Sequence, residues 1–252
     1  MSSEMNEIKY PERWHSRYFA WRDLWLVPLY FIIVQFVLFP IIFGLMTLVT
    51  DGTTNLYGTE TFLIILSFNN KIFTLLIFYL IHVNHDIVRI VIERFKQVKK
   101  HLLFIITTFI VVEILSQLYD WLLNFLPKSL QFDESANDKE VLKMFDVDWL
   151  IPVSLIAVII LAPLIEELIF RHLIIHELGK KITYPIAAIL SIILFTAIHV
   201  VGMNSPFEIG GYLISAVAIV IVYMRSGRNL AASFILHALN NGYAVVLALI
   251  TM

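Results

Sequence analysis

Trp149–Leu178 reads WLIPVSLIAVIILAPLIEELIFRHLIIHEL, and this stretch decides the fold. From Ile156 to Ile165 it contains no polar residue, which is too long a run for the alternation of a half-buried strand. The pattern predicts a membrane helix that starts at Trp149 and stays helical to Leu178. Glu166 and Glu167 then lie inside that helix, because Leu173, Ile174 and Ile175 resume the apolar pattern beyond Arg171. An ionisable side chain at such a depth costs about 2.5–3.5 kcal/mol and needs a partner or a cavity.

The rest of the chain has the same character. Of its 252 residues, 59% are hydrophobic and 15% charged, where a soluble domain carries about 25% charge. Mean hydropathy is +0.82. These values exclude a disordered chain and a coiled coil, and a net charge of -2 argues against nucleic acid as a partner. There is no cysteine, hence no disulfide, no thiolate nucleophile and no zinc site built on sulfur.

Outward from Trp149–Leu178, six further apolar segments are expected to cross or enter the bilayer. The first, Leu24 to Val49, can span about 30 Å of hydrocarbon and carries Pro28 and Pro40 as kinks. The second, Thr61 to His82, is expected to be interrupted at Asn69, Asn70 and Lys71, with Phe62 to Phe68 interfacial or re-entrant. The others are Leu102 to Leu126, Pro185 to Val200, Ile209 to Met224 and Leu230 to Ile250. The expected fold class is all-α, a polytopic transmembrane helix bundle of about seven spans, or eight with a re-entrant segment. Residues 1–148 would comprise an N-terminal tail, three membrane helices and an acidic loop. Residues 149–252 would form a core of four helices.

Basic residues orient this bundle. All of the 18 except Lys71, Lys128, Lys139 and Lys143 fall in segments that the seven-helix scheme puts on one side. The N-terminus is therefore expected in the cytoplasm and the C-terminus outside. The acidic connection Asp133 to Asp148 would be an exposed, mobile outer loop. The expected location is a membrane, with the N-terminus on its cytoplasmic side.

Three polar clusters interrupt the apolar background, all after residue 160. In Glu166-Glu167-Leu168-Ile169-Phe170-Arg171, Glu167 and Arg171 are i and i+4 and can pair, while Glu166 is rotated about 100° away. In Phe195-Thr196-Ala197-Ile198-His199, Phe195 lies one turn below His199. In His237-Ala238-Leu239-Asn240-Asn241, His237 and Asn241 share a face. At 1.5 Å per residue, Glu166, His199 and Asn241 all come out about 18–20 Å from the same membrane side, with His237 one turn lower. They can therefore form one layer.

No Ser or Cys with a base at matching depth is present, which argues against covalent catalysis. A Glu beside a His can deprotonate a water, and a His with an Asn can donate to an oxyanion. Two His and a carboxylate could instead hold a divalent metal, although HExxH is absent.

Glu-Glu-x-x-x-Arg, Phe-x-x-x-His and His-x-x-x-Asn, in this order on successive membrane helices, resemble the CPBP family. These are the CAAX-protease and bacteriocin-processing proteins, also called Abi, which are intramembrane glutamic endopeptidases. The resemblance covers the chain from Trp149 onward. It implies that Glu166 activates water, His199 orients it, and His237 and Asn241 form the oxyanion hole. Glu167, Arg171 and Phe195 would support them, with no cofactor and no metal. His172 stands where many relatives have Gly. The implied substrate is a peptide or membrane protein, prenylated CAAX proteins being those of the eukaryotic relatives. A membrane sensor or a pheromone precursor is a further partner of the kind the family suggests. A bacterial cytoplasmic membrane is the location that the resemblance implies. The alternatives are a non-proteolytic scaffold or bacteriocin-immunity protein of the same fold, and an ion-coupled transporter.

The remaining histidines read as surface residues. His82 and His85, beside Asp86, are expected on a solvated interfacial face. His172 and His176 are expected on an exposed helix face. His15 and His101 are expected at the membrane surface, and Trp14, Trp21, Trp25, Trp121 and Trp149 in an aromatic belt at the span ends.

Overall fold

The computed structural model describes residues 18–38, 40, 41, 44, 45, 48 and 60–251. Every regular element among them is helical. Helix α1 covers residues 21–38 and α2 is Glu60–His82. Helices α3 and α4 are Ile87–Val98 and Leu102–Leu123, and the short α5 is Ala136–Leu142. The long α6 is Asp148–Ile182, followed by α7, Tyr184–His199, α8, Ile209–Arg225, and α9, Leu230–Thr251. Trp14 and His15, and much of the expected first span beyond Leu38, lie outside the described residues.

Five helices among the described residues are long and apolar enough to cross a bilayer, fewer than the seven expected. They contain α2, α4, α6, α8 and α9. Helix α7 is apolar but has only 16 residues. In α4, Leu103, Ile110 and Ile114 are exposed, as befits a face that meets lipid tails rather than water.

Helix α2 corrects the expected interruption. It runs unbroken through Asn69, Asn70 and Lys71, so Phe62 to Phe68 are its first turns and not a re-entrant segment. One polar side chain is met within the helix and one by α1. Lys71 Nζ donates to Ser67 Oγ at 2.6 Å, and Asn70 Nδ2 donates to the Tyr30 carbonyl at 3.3 Å.

Helix α6 is continuous but not uniform. Wide i→i+5 turns over Ile156–Leu161 and Leu168–Leu178 flank a regular segment, Ala162–Glu167. Pro163 has no N–H to donate backward and its ring crowds the preceding turn, so a widened turn ahead of it relieves the conflict. The regular segment ends on the two carboxylates.

The core forms around this helix. Ile165, Leu168, Ile169, Phe170 and Leu173 of α6 pack with Leu26 of α1, Phe78 of α2, Phe195 of α7 and Ala216 of α8. Ser191 Oγ donates to the Phe170 carbonyl, which fixes α7 against α6. A second cluster joins Ile105 and Val112 of α4 to Ile219 of α8 and Leu236 of α9. Where α8 begins, a Cβ on Gly210 would collide with the Tyr119 ring of α4, so only Gly permits this approach. Tyr119 Oη donates to the Phe207 carbonyl at the same point.

The connection from Asp133 to Asp148 is not free. Glu208 Oε2 accepts from the Ala136 N–H at 2.9 Å, and its Oε1 accepts from the Asn204 and Ser205 N–H groups. Ser205 Oγ donates to the Leu130 carbonyl. A buried carboxylate thus joins two loops on one end of the bundle.

Candidate active site

Helices α6, α7 and α9 bring the three polar clusters together. Glu166 Oε2 lies 3.7 Å from His199 Nε2 and 3.4 Å from His237 Nε2. Both imidazoles therefore turn the same ring nitrogen toward one carboxylate oxygen. The other nitrogens are engaged. His199 Nδ1 is 2.7 Å from the Phe195 carbonyl, which can only accept, so Nδ1 carries the proton. Neutral His199 then offers a lone pair at Nε2. The Phe195 ring stacks on His199, with centroids 4.4 Å apart.

Glu167 does more than pair with Arg171. Its Oε1 is 3.4 Å from Arg171 Nε and 3.1 Å from His237 Nδ1. Glu167 and Arg171 are completely buried, whereas the Glu166 side chain keeps 15% of its surface. The Arg171 guanidinium carbon lies 4.8 Å from the Phe195 ring centroid. Charge, ring and imidazole thus form one continuous support beneath Glu166. Spacing along the sequence shows the Glu167–Arg171 pair but not the bond from Glu167 to His237.

Asn241 meets α6 about two turns before Glu166 instead: its Nδ2 donates to the Val158 carbonyl at 3.1 Å, in the widened first part of the helix. Among the described residues no three His, Cys, Asp or Glu side chains converge as a metal-ligand set.

Lys71 of α2, a helix that packs against the Ala162–Glu167 segment of α6, is a buried cation that no motif announces. Lys71 is 7% exposed, and its direct partners are the Oγ and carbonyl of Ser67. An ammonium embedded in an apolar helix is the one signal of it in the sequence, and the distribution of basic residues assigns Lys71 to the outer side instead.

Residues 148–243 match the family model of type II CAAX prenyl endopeptidase Rce1-like proteins. This segment is an Rce1-like domain. The match runs from the first turn of α6 into α9 and includes Glu166, Glu167, Arg171, Phe195, His199, His237 and Asn241. It agrees with the resemblance read from the motifs. No curated protein and no solved structure matches the chain.

Toward the C-terminal end of α6 the histidines correct the sequence reading. His82 and His176 are buried, not solvated. His82 Nε2 is 2.9 Å from Asp23 Oδ1, and His172 Nε2 is 2.8 Å from Asp23 Oδ2. Asp23 ends the polar stretch that precedes the first apolar run, so one carboxylate ties the N-terminal segment to α2 and α6. Burial alone would push its carboxyl up. Hydrogen bonds from His172 and His82, and their charge, reverse this and hold it well below the usual carboxylate range. The Ala20 N–H donates to Glu177 Oε2 at 2.7 Å beside it.

These residues border a cavity of about 650 Å³, walled mainly by apolar side chains such as Phe78, Tyr79, Phe95, Leu164, Leu168 and Phe234. Leu164 and Leu168 flank the two carboxylates on α6, so the cavity reaches the level of the polar layer.

Proposed function

We propose that this protein is an intramembrane endopeptidase that hydrolyses a peptide bond of a membrane-associated peptide or protein with water activated by Glu166. The observation that carries this reading is the convergence of His199 Nε2 and His237 Nε2 on Glu166 Oε2. The Rce1-like match supports peptide hydrolysis as the class of reaction.

In the proposed step a water lies between the Glu166 carboxylate and the Nε2 lone pair of His199. Glu166 takes one proton as the water oxygen bonds to the scissile carbonyl carbon. The carbonyl π electrons move onto oxygen and make an oxyanion. His237, which in its imidazolium form donates at both nitrogens, directs Nε2–H toward that oxyanion while Glu167 holds Nδ1–H. Asn241, one turn beyond His237 on α9, is the second donor that the motif resemblance implies. As the tetrahedral carbon collapses, the C–N bond breaks and protonated Glu166 returns its proton to the leaving nitrogen. The products are a carboxylic acid and an amine, and Glu166 is ionised again. The cavity beside Leu164 and Leu168 gives an apolar segment of the substrate room to lie against α6.

The test compares peptides from membrane and culture fluid of host cells carrying the wild type or Glu166→Gln at equal abundance. Products that appear only with the wild type are expected. Identical profiles, with the host phenotype intact in the variant, would reject proteolysis and favour a scaffold.

A further inference from the structure

His199 is held from both faces. Phe195 stacks on one side at 4.4 Å with planes 30° apart. Tyr212, from the first turns of α8, lies against the ring at 5.1 Å, also at 30°. Phe195 belongs to the motif helix itself and its neighbourhood follows from helical spacing. Tyr212 comes from a different helix.

The Tyr212 hydroxyl is fixed in turn by the outer loop. It donates to Asp138 Oδ1 at 3.0 Å and lies 2.6 Å from Ser135 Oγ. A carboxylate only accepts, so the single phenolic proton goes to Asp138 and Ser135 donates to the phenol oxygen. Ser135 Oγ also accepts from the Asp138 N–H at 3.0 Å, as the N-cap of α5. The result is a closed ring of three hydrogen bonds: Asp138 N–H to Ser135, Ser135 to Tyr212, Tyr212 to the Asp138 carboxylate. Each donor is used once, so the ring has one arrangement.

We infer that Tyr212 is a positioning residue for His199, and that the Ser135–Asp138 turn sets its position. This rests on the endopeptidase reading, in which His199 orients the attacking water. His199 makes one hydrogen bond through Nδ1, and that bond alone leaves the ring free to rock about its own plane. Walls on both faces remove that freedom and keep Nε2 aimed at Glu166. The outer loop thereby acts on the reaction without touching the reacting atoms. Glu208 binds Ala136, Asn204 and Ser205 independently of Tyr212. The loop therefore stays docked when the Tyr212 hydroxyl is removed, and Tyr212→Phe isolates the latch.

The experiment uses the full chain in detergent micelles with ¹⁵N-labelled histidine, the His199 signals being assigned by their loss in His199→Gln. Cleavage is read in liposomes with a mixture of lipid-anchored, quenched fluorescent peptides. In the wild type, His199 should show a single tautomer protonated at Nδ1. Tyr212→Leu should move these signals toward tautomer averaging and lower kcat about tenfold, with KM within about twofold. Tyr212→Phe and Asp138→Asn should each give a smaller change in the same direction, about threefold in kcat, since the ring remains. His199 signals that do not respond to Tyr212→Leu, in a protein whose other histidine signals show it folded, would overturn the inference while leaving proteolysis standing. A wild type that cleaves no more than Glu166→Gln would remove the endopeptidase reading itself, and Tyr212 would then be packing.

Discussion

Glu167 grips His237 across 70 residues of sequence, Oε1 to Nδ1 at 3.1 Å, and the same oxygen faces Arg171 at 3.4 Å. One carboxylate thus neutralises a buried guanidinium and orients an imidazole whose other nitrogen points at Glu166. Adjacent carboxylates on one helix divide the labour. The Glu166 side chain keeps 15% of its surface, and Glu167 is sealed.

The sealed pair makes a stability prediction. Glu167→Ala leaves the Arg171 cation buried without its carboxylate, and the expected loss is about 3–5 kcal/mol. Adding Arg171→Met should recover much of that loss while activity stays low, because His237 remains unsupported. Thermal unfolding in detergent checks both variants. Equal melting of the single and double variants would mean that the Glu167–Arg171 pair is not the stabilising contact.

Lys71 makes a second prediction. Lys71 is a buried ammonium on α2, and α2 packs against the Ala162–Glu167 segment of α6 that carries the two carboxylates. Lys71→Met should lower the hydrolysis rate about tenfold, which corresponds to about 1.4 kcal/mol in the barrier. Lys71→Arg, which keeps the charge, should retain most of the rate. Both are read with the lipid-anchored peptide mixture at equal protein abundance. A rate for Lys71→Met equal to wild type would show that the charge is not used.

Asp23 makes a third, through pH. Its folded carboxyl is depressed below the unfolded value of about 3.9, so the unfolded state binds the proton more readily. The stabilisation is therefore present above the unfolded value and is lost as pH falls through the folded one. The difference in melting temperature between wild type and Asp23→Asn should persist from pH 7 to 5 and shrink only below about pH 4. A difference that closed between pH 7 and 5 would assign the effect to the histidines instead.

Orientation makes a fourth. Because the chain has no Cys, single introduced thiols can be labelled without background. Asn137→Cys should react with an impermeant reagent on intact cells, and Lys100→Cys only after permeabilisation. The reverse pattern would invert the bundle and put the Ser135–Asp138 turn in the cytoplasm.

Much of the site is legible in the order of the residues. The run through Ile165 and the return of apolar residues after Arg171 put Glu166 inside a helix, and depth arithmetic puts His199 and Asn241 at its level with His237 one turn lower, whereas the structure sets His237 on Glu166 and Asn241 on the Val158 carbonyl. Both arguments use only rise per residue and hydropathy. The same arithmetic fails at Asn69–Lys71. Polar residues there have the look of a break, whereas Ser67 and the Tyr30 carbonyl satisfy them within a continuous helix. It fails again at His82, His172 and His176, whose i,i+4 spacings fit a wet face as well as a buried one.

By itself, then, the sequence determined the all-helical, membrane-spanning class and the order of the motifs along the helices, because these depend on local composition and on one fixed helical rise. Tertiary structure alone decided which groups meet. Glu167 with His237, Asp23 with His82 and His172, and Tyr212 with His199 and Asp138 join different helices. How a helix rotates about its axis against its neighbours is set by side-chain packing over the whole bundle, and no periodicity within one helix encodes it.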